Sequence, residues 1–220
     1  MNLAQTIDHT LLKPEATLTE IEKLCAEARE HNFFSVCLNP YWISNARALL
    51  QGSSVKICTV VGFPLGATLP QAKAHATQDV VAAGADEIDM VMNIGAAREG
   101  HWNFIEHEIH DVVSQAKGRT VKVILEICLL SPEQIVAACQ ACERGGASFV
   151  KTSTGFSQGG ATLEAVRLMR QSVSPQVGVK ASGGIRSRED ALAMIEAGAT
   201  RLGTSASIAI LQGRNGTDTY

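Results

Sequence analysis

Aromatic residues are scarce in this 220-residue chain, at 5% of positions, and no stretch approaches the run of about 18 apolar residues that a membrane-crossing helix needs. Positive charge is not in excess either. Nineteen Lys and Arg stand against 22 Asp and Glu, a net charge of −3, so the basic footprint of a nucleic-acid binder is missing. The opening residues, Met1 to Gln5, hold neither a basic leader nor an apolar signal core, so a cytoplasmic protein is expected. No G-x-G-x-x-G follows the first predicted strand, which speaks against a dinucleotide-binding open sheet. The six histidines form no metal-ligand pattern. His107 and His110 flank Glu108 on a charge-rich amphipathic segment and are read as a solvated helix face.

Enough apolar residue is present to bury a core: 45% hydrophobic against 19% charged. Six cysteines lie at 25, 37, 58, 128, 139 and 142. A chain of this size needs no disulfide staples, so they are expected to be reduced and structural. Cys139 and Cys142 form a C-x-x-C inside a predicted helix. A redox motif would instead open a helix after a strand, and a zinc site would need two more ligands.

Short β-branched runs alternate with helical patterns. Strands are predicted to begin near Thr6, Ser35, Lys56, Glu87, Thr120, Phe149, Gln176 and Arg201. Between them lie helix signals. Thr19 and Glu22 read as a capping box; Ser131-Pro132-Glu133 offers a cap, a first-turn proline and an acid; Ser187 to Asp190 does similar work. Ala-Gly-Ala at 83–85 and 197–199, and Gly-Gly-Ala at 145–147, suit left-handed helix ends just before strands. Eight such units without a linker favour a single-domain (β/α)₈ barrel over 1–212, with 213–220 as a tail. A doubly wound open sheet is the alternative.

Strands of a parallel barrel should be greasy. These carry Asp8, Glu87, Asp89, Lys122, Glu126, Lys151 and Lys180. Alternation puts Glu87 with Asp89, and Lys122 with Glu126, on shared faces. Buried lysines are rare without partners, since desolvating an ammonium costs several kcal/mol. Lys151 and Lys180 fall late on successive strands, at the end where barrels keep their active sites. Two adjacent ammonium groups repel, which favours a neutral amine on one of them, able to attack a carbonyl. Schiff-base chemistry, anion binding and plain structural ion pairing all remain open from spacing alone. The glycines after Lys180 (Gly183, Gly184) and around the eighth strand (Gly203), each running toward a helix, suit a phosphate site.

The motifs DHTLL (8–12), DEIDMVMNIG (86–95), KVILEI (122–127), FVKTSTGF (149–156), VGVKASGGIR (177–186) and RLGTS (201–205) together resemble the deoxyribose-phosphate aldolase family, in order and over almost the whole chain. The resemblance implies a cofactor-free, metal-free class I aldolase. It would reversibly cleave 2-deoxy-D-ribose 5-phosphate into acetaldehyde and D-glyceraldehyde 3-phosphate. It implies Lys151 as the Schiff-base lysine, Lys180 as the lysine that lowers its pKa, and Asp89 as the proton-shuttling acid with Lys122 beside it. Thr152, Gly155, Gly183, Gly184, Gly203 and Ser205 would grip the sugar phosphate, and Thr10 and Cys37 would line the substrate pocket. Tyr220 matches a tail tyrosine that enters the site in some members. Phe156 and Ala206 depart from the lysine and serine that other members carry, which weakens phosphate contact. A transaldolase, a sugar-phosphate isomerase or a silent sugar-phosphate sensor would share much of this pattern. Partners are expected to be phosphorylated sugars and aldehydes, with association into a homo-oligomer left open.

Overall fold

The computed structural model describes residues 2–216. Its eight strands are β1 (Ile7–Leu11), β2 (Ser35–Leu38), β3 (Lys56–Val61), β4 (Glu87–Val91), β5 (Thr120–Ile124), β6 (Phe149–Lys151), β7 (Gly178–Ser182) and β8 (Arg201–Thr204). Each pairs in parallel with the next, and β8 closes on β1, giving a barrel in chain order. The helices around it are α1 (Leu18–Glu30), α2 (Ile43–Leu49), α3 (Pro70–Ala83), α4 (Ile94–Arg98), α5 (Trp102–Gln115), α6 (Pro132–Arg144), α7 (Leu163–Ser172), α8 (Arg188–Glu196) and α9 (Ser207–Leu211). Strand β4 is followed by two helices, the first a short extra turn. The seventh strand starts at Gly178 because Val177 N donates to Ser174 O at 3.1 Å, holding the residues before it in a turn. Among the described residues, no helix is long and apolar enough to cross a membrane.

The barrel explains why its strands read as broken apolar runs. Side chains alternate across a strand. Ile7, Val36, Ile57, Ile88, Val121, Val150, Val179 and Leu202 face outward and join the helices in one continuous core. Their neighbours Asp8, Cys58, Glu87, Lys122, Lys151, Lys180 and Arg201 point into the barrel. The apolar core is thus a ring between sheet and helices, and the barrel's own centre is ionic.

Helix ends follow local sequence. Ser131 Oγ accepts from Gln134 N and Ser187 Oγ from Asp190 N, as their spacing predicts. Gly84, Gly146 and Gly198 all adopt positive φ at helix ends. The first box is shifted from Thr19. α1 begins at Leu18, and Glu20 accepts from Thr17 N at 2.8 Å and from Thr17 Oγ1 at 2.9 Å. Thr19 lies inside the helix, where its own N–H is already within the first turn. Cys139 and Cys142 are buried in α6, and burial pushes the Cys139 thiol up to about 12. His107 and His110 are exposed, but Glu108 between them is not solvated. Its carboxylate accepts from Lys73 Nζ of α3 at 2.7 Å and from Asn93 N at 3.0 Å, with both charged side chains fully buried. A 3.6-residue period turns Glu108 inward while His107 and His110 stay out.

Candidate active site

The site is built upward from the barrel floor. The Arg201 guanidinium lies 3.5 Å from the centroid of the Phe34 ring and donates to Asp8 Oδ1 and Glu87 Oε2, each at 2.8 Å. One layer higher, Lys122 Nζ bonds Glu87 at 2.7 Å and Asp89 Oδ1 at 2.8 Å. Lys180 Nζ donates to Asp8 Oδ2 and, at 2.8 Å, to Asp89 Oδ2. Lys151 Nζ donates to that same Asp89 Oδ2 at 2.7 Å. Lys151 and Lys180 are register partners on β6 and β7. They stand side by side on one face, with a carboxylate between them that tempers their repulsion. Of the three lysines, only Lys151 keeps any side-chain exposure, 3% against 0% for Lys122 and Lys180. Its side chain is the one of the three that touches solvent, and so the one a small carbonyl compound would meet first.

The cluster's ionisation follows from its pairing. Burial raises the Asp8 and Asp89 carboxyls, but the surrounding lysines outweigh it and hold both below the ordinary carboxylate range. Burial lowers the Lys180 ammonium, but Asp8 and Asp89 outweigh it and hold it above 10.5. A carboxyl depressed on folding lends stability that is complete above its unfolded value, near pH 4, and is lost as pH falls through the folded one. An ammonium raised on folding lends stability that is complete below its unfolded value, near pH 10, and is lost as pH rises through the folded one. The gap in urea midpoint between the protein and its Asp8→Asn variant is therefore expected to be constant from about pH 5 to 9 and to shrink below about pH 4. A gap that widened in acid would contradict this assignment.

The turns after β6, β7 and β8 enclose a polar cavity of 280 Å³, lined by Gly155, Gly183, Gly184, Gly203 and Ser205 together with Arg186. Five positions expected at the phosphate thus share one wall. Gly183 and Gly184 adopt φ of 86° and 78°, a left-handed backbone that favours glycine. Gly203 has a second duty, since a Cβ there would sit 3.0 Å from Lys180 Cε. Thr152 does not line this cavity. It is fully buried, its Oγ1 donating to Ser182 O and accepting from Ser182 N, each at 2.9 Å, and so straps β6 to β7. Lys122 is likewise enclosed beneath Asp89.

Thr10 lines a separate cavity of 210 Å³ with Lys13, Glu20 and Ser205, while its Oγ1 donates to Asp8 O at 2.8 Å. Cys37 is fully buried with Leu12, Cys58 and Val60, Phe63 packing against them. A hydrogen bond with Cys58 holds its thiol below the usual value. Phe156 packs edge-on against Phe63, ring centroids 5.2 Å apart, and Ala206 N donates to Thr204 Oγ1 at 3.0 Å. Tyr220 lies outside the described residues. Glu126 does not share a face with Lys122. β5 ends at Ile124, Glu126 turns left-handed at φ 56°, and its carboxylate accepts from Thr154 N and Oγ1. Burial raises that carboxyl.

Cys37, Cys58 and Asp89 offer ligand atoms within 4.8 Å of one another, a donor set a soft cation could use. Asp89 is already taken: Lys122 and the Cys58 thiol donate to Oδ1, and Lys151 and Lys180 to Oδ2. These ammonium groups oppose a further cation at the same carboxylate. The sequence reading left Asp8, Glu87 and Arg201 without site roles, although Asp8 opens the DHTLL motif. The signal for all three was an unpaired strand charge at alternate positions, whose partners become visible only when the barrel closes.

The fold is a (β/α)₈ barrel whose centre holds a buried cluster of lysines and carboxylates. The chain belongs to the DeoC/LacD family of aldolases, whose model matches residues 2–216. It is 56% identical over 220 residues to the deoxyribose-phosphate aldolase of Streptococcus mutans, covering all of both chains. With that of a Geobacillus species it is 53% identical, covering all of this chain and 99% of the other. Among solved structures it resembles a deoxyribose-phosphate aldolase from Coccidioides immitis at a TM-score of 0.94 and 42% identity, covering 96% of this chain and 85% of that one. A tetrameric deoxyribose phosphate aldolase from Aeropyrum pernix matches at 0.89 and 37%, covering 96% and 89%.

Proposed function

We propose that the protein cleaves 2-deoxy-D-ribose 5-phosphate reversibly into acetaldehyde and D-glyceraldehyde 3-phosphate through a Schiff base on Lys151. The observation that carries this reading is the sharing of Asp89 Oδ2 by Lys151 and Lys180, with Gly203 of the glycine-lined cavity packed against the Lys180 side chain. Lys122, Lys151, Lys180 and Arg201 are four cations facing the three carboxylates Asp8, Glu87 and Asp89. With Lys151 acting as the free amine, three charges of each sign remain.

The amine attacks C1 of the open-chain aldehyde. Its nitrogen takes the bond, the carbonyl oxygen gains a proton and then leaves as water. Acetaldehyde carries C1 and C2, so the bond that breaks is C2–C3, and its electrons move into the enamine on Lys151. The C3 hydroxyl loses its proton as glyceraldehyde 3-phosphate departs. Protonation at C2 and hydrolysis of the imine return the lysine. Once Lys151 turns to the substrate, Asp89 Oδ2 is left to Lys180 alone and can take part in these proton transfers, while Lys180 stays charged. Positioned acid–base help of this kind contributes ~10²–10⁴-fold. In this reading the phosphate occupies the 280 Å³ cavity, which Gly203 joins to the Lys180 side chain, and the aldehyde end is directed toward Lys151.

Purified protein is expected to release acetaldehyde from 2-deoxyribose 5-phosphate and to keep doing so in EDTA. An isomerised sugar without acetaldehyde would favour an isomerase; no turnover at all would favour a sensor. Phe156→Lys is expected to lower KM for the phosphorylated sugar by no more than about fivefold, because exposed ion pairs contribute ~0.2–1 kcal/mol. Phe156 stands between Gly155 and Ser157 of the cavity wall with its ring against Phe63, so an unmoved or raised KM would mean that a cation at 156 does not reach the phosphate. The tetrameric relative favours a homo-oligomer here. Unpaired thiols at all six cysteines suit a reducing cytoplasm. The barrel domain is read as 1–212.

A further inference from the structure

His9 has no part in the chemistry above, yet it is buried and held at both ring nitrogens. It follows Asp8 on β1, so its side chain leaves the barrel on the opposite face, toward the helices. Nδ1 lies 2.9 Å from Ser207 Oγ, and Nε2 lies 2.9 Å from Glu27 Oε2. Glu27 belongs to α1 and Ser207 opens α9, so one ring joins the first helix to the last across the seam where β8 meets β1. The hydrogen bond with His9 also holds the Glu27 carboxyl below its usual value.

The far side of this bridge is the turn after β8. Ser207 Oγ donates to Thr204 O at 3.1 Å, Thr204 Oγ1 donates to Ile185 O at 2.8 Å, and Ala206 N donates to Thr204 Oγ1 at 3.0 Å. These bonds tie residues 204–207 to the turn after β7. Thr204, Ser205 and Ile185 all line the 280 Å³ cavity. A shift of Ser207 would therefore move one wall of that cavity while leaving the Lys151 cluster, on the inner face, where it is.

We propose that His9 is a positioning residue for the phosphate end of the substrate: by bridging Glu27 and Ser207 it fixes the 204–207 turn, and with it Ser205, against the bound phosphate. This rests on reading the cavity as the phosphate site. The test compares 2-deoxyribose 5-phosphate with unphosphorylated 2-deoxyribose in Ser207→Ala, Glu27→Ala and Glu27→Gln. Ser207→Ala removes one hydroxyl, and Glu27 is a quarter exposed, so both alanine variants should fold. Each is expected to raise KM for the phosphorylated sugar about fivefold, the scale of one lost hydrogen bond, with kcat unchanged. Their kcat/KM on free deoxyribose should match that of the unaltered protein, and Glu27→Gln, which can still accept a hydrogen bond, should restore most of the loss. An equal fall on both sugars, or an unmoved KM, overturns the proposal. If the unaltered protein shows no preference for the phosphorylated sugar, the cavity reading fails and this inference goes with it. A clear preference with silent variants removes the inference alone.

Discussion

Lys151→Met is expected to lower acetaldehyde release by at least ~10³-fold while leaving the barrel as stable as before or more so. The two halves of that expectation come from different parts of the site. The side chain is nearly enclosed, and methionine has similar length and volume, so packing is kept. The substitution removes one of four cations facing three carboxylates, which leaves the cluster balanced. Activity, in contrast, loses the one side chain of the three lysines that keeps any exposure. Borohydride reduction in the presence of acetaldehyde should leave one ethyl group on Lys151 of the unaltered protein and none on the variant, read by peptide mass. Trapping on Lys180 instead would reverse the roles of the two amines.

Asp89→Asn should do the opposite and cost both properties together. Asp89 accepts from Lys122, Lys151, Lys180 and the Cys58 thiol with a fully buried carboxylate. Removing its charge leaves four cations with two carboxylates in a space closed to water. Breaking a buried ion pair by removing one partner costs ~3–5 kcal/mol. At ~2–4 °C per kcal/mol for a chain of this size, Tm should fall by about 6–20 °C. Calorimetry on the variant decides it. A Tm within a degree or two of the parent would mean that the carboxylate is not the hub of the cluster. Turnover should fall as well, since Lys180 would lose one of its two ion-pair partners among the described residues and Lys151 would lose its ion pair with Asp89.

Much of this arrangement could be read from the chain before any coordinates. The eight strands and their order followed from spacing, and Lys151 beside Lys180 followed from their late positions on successive strands. Glycines 155, 183, 184 and 203 and Ser205 converge because loops at one end of a barrel must converge. What could not be read was pairing across the barrel. Asp8 on the first strand meets Lys180 on the seventh, 172 residues away, and nothing local announces it. Glu126 defeated simple alternation because its backbone turns left-handed two residues past the strand end. Thr152 sits inside the most recognisable motif of the chain, yet its hydroxyl serves the neighbouring strand. Glu108 looked solvated because its histidine neighbours are, and only its partner on another helix, Lys73, explains its burial.

The aromatic lid that Phe34 places under Arg201 has a consequence for how the enzyme meets its solvent. A guanidinium resting on a ring narrows the floor, and no side chain of the charged centre is more than 7% exposed. At 0.15 M salt, screening acts over ~8 Å between exposed charges and far less between enclosed ones. The field around the reactive nitrogen should therefore stay nearly constant from dilute buffer to physiological ionic strength, while the grip on a phosphate at the open rim weakens as salt rises.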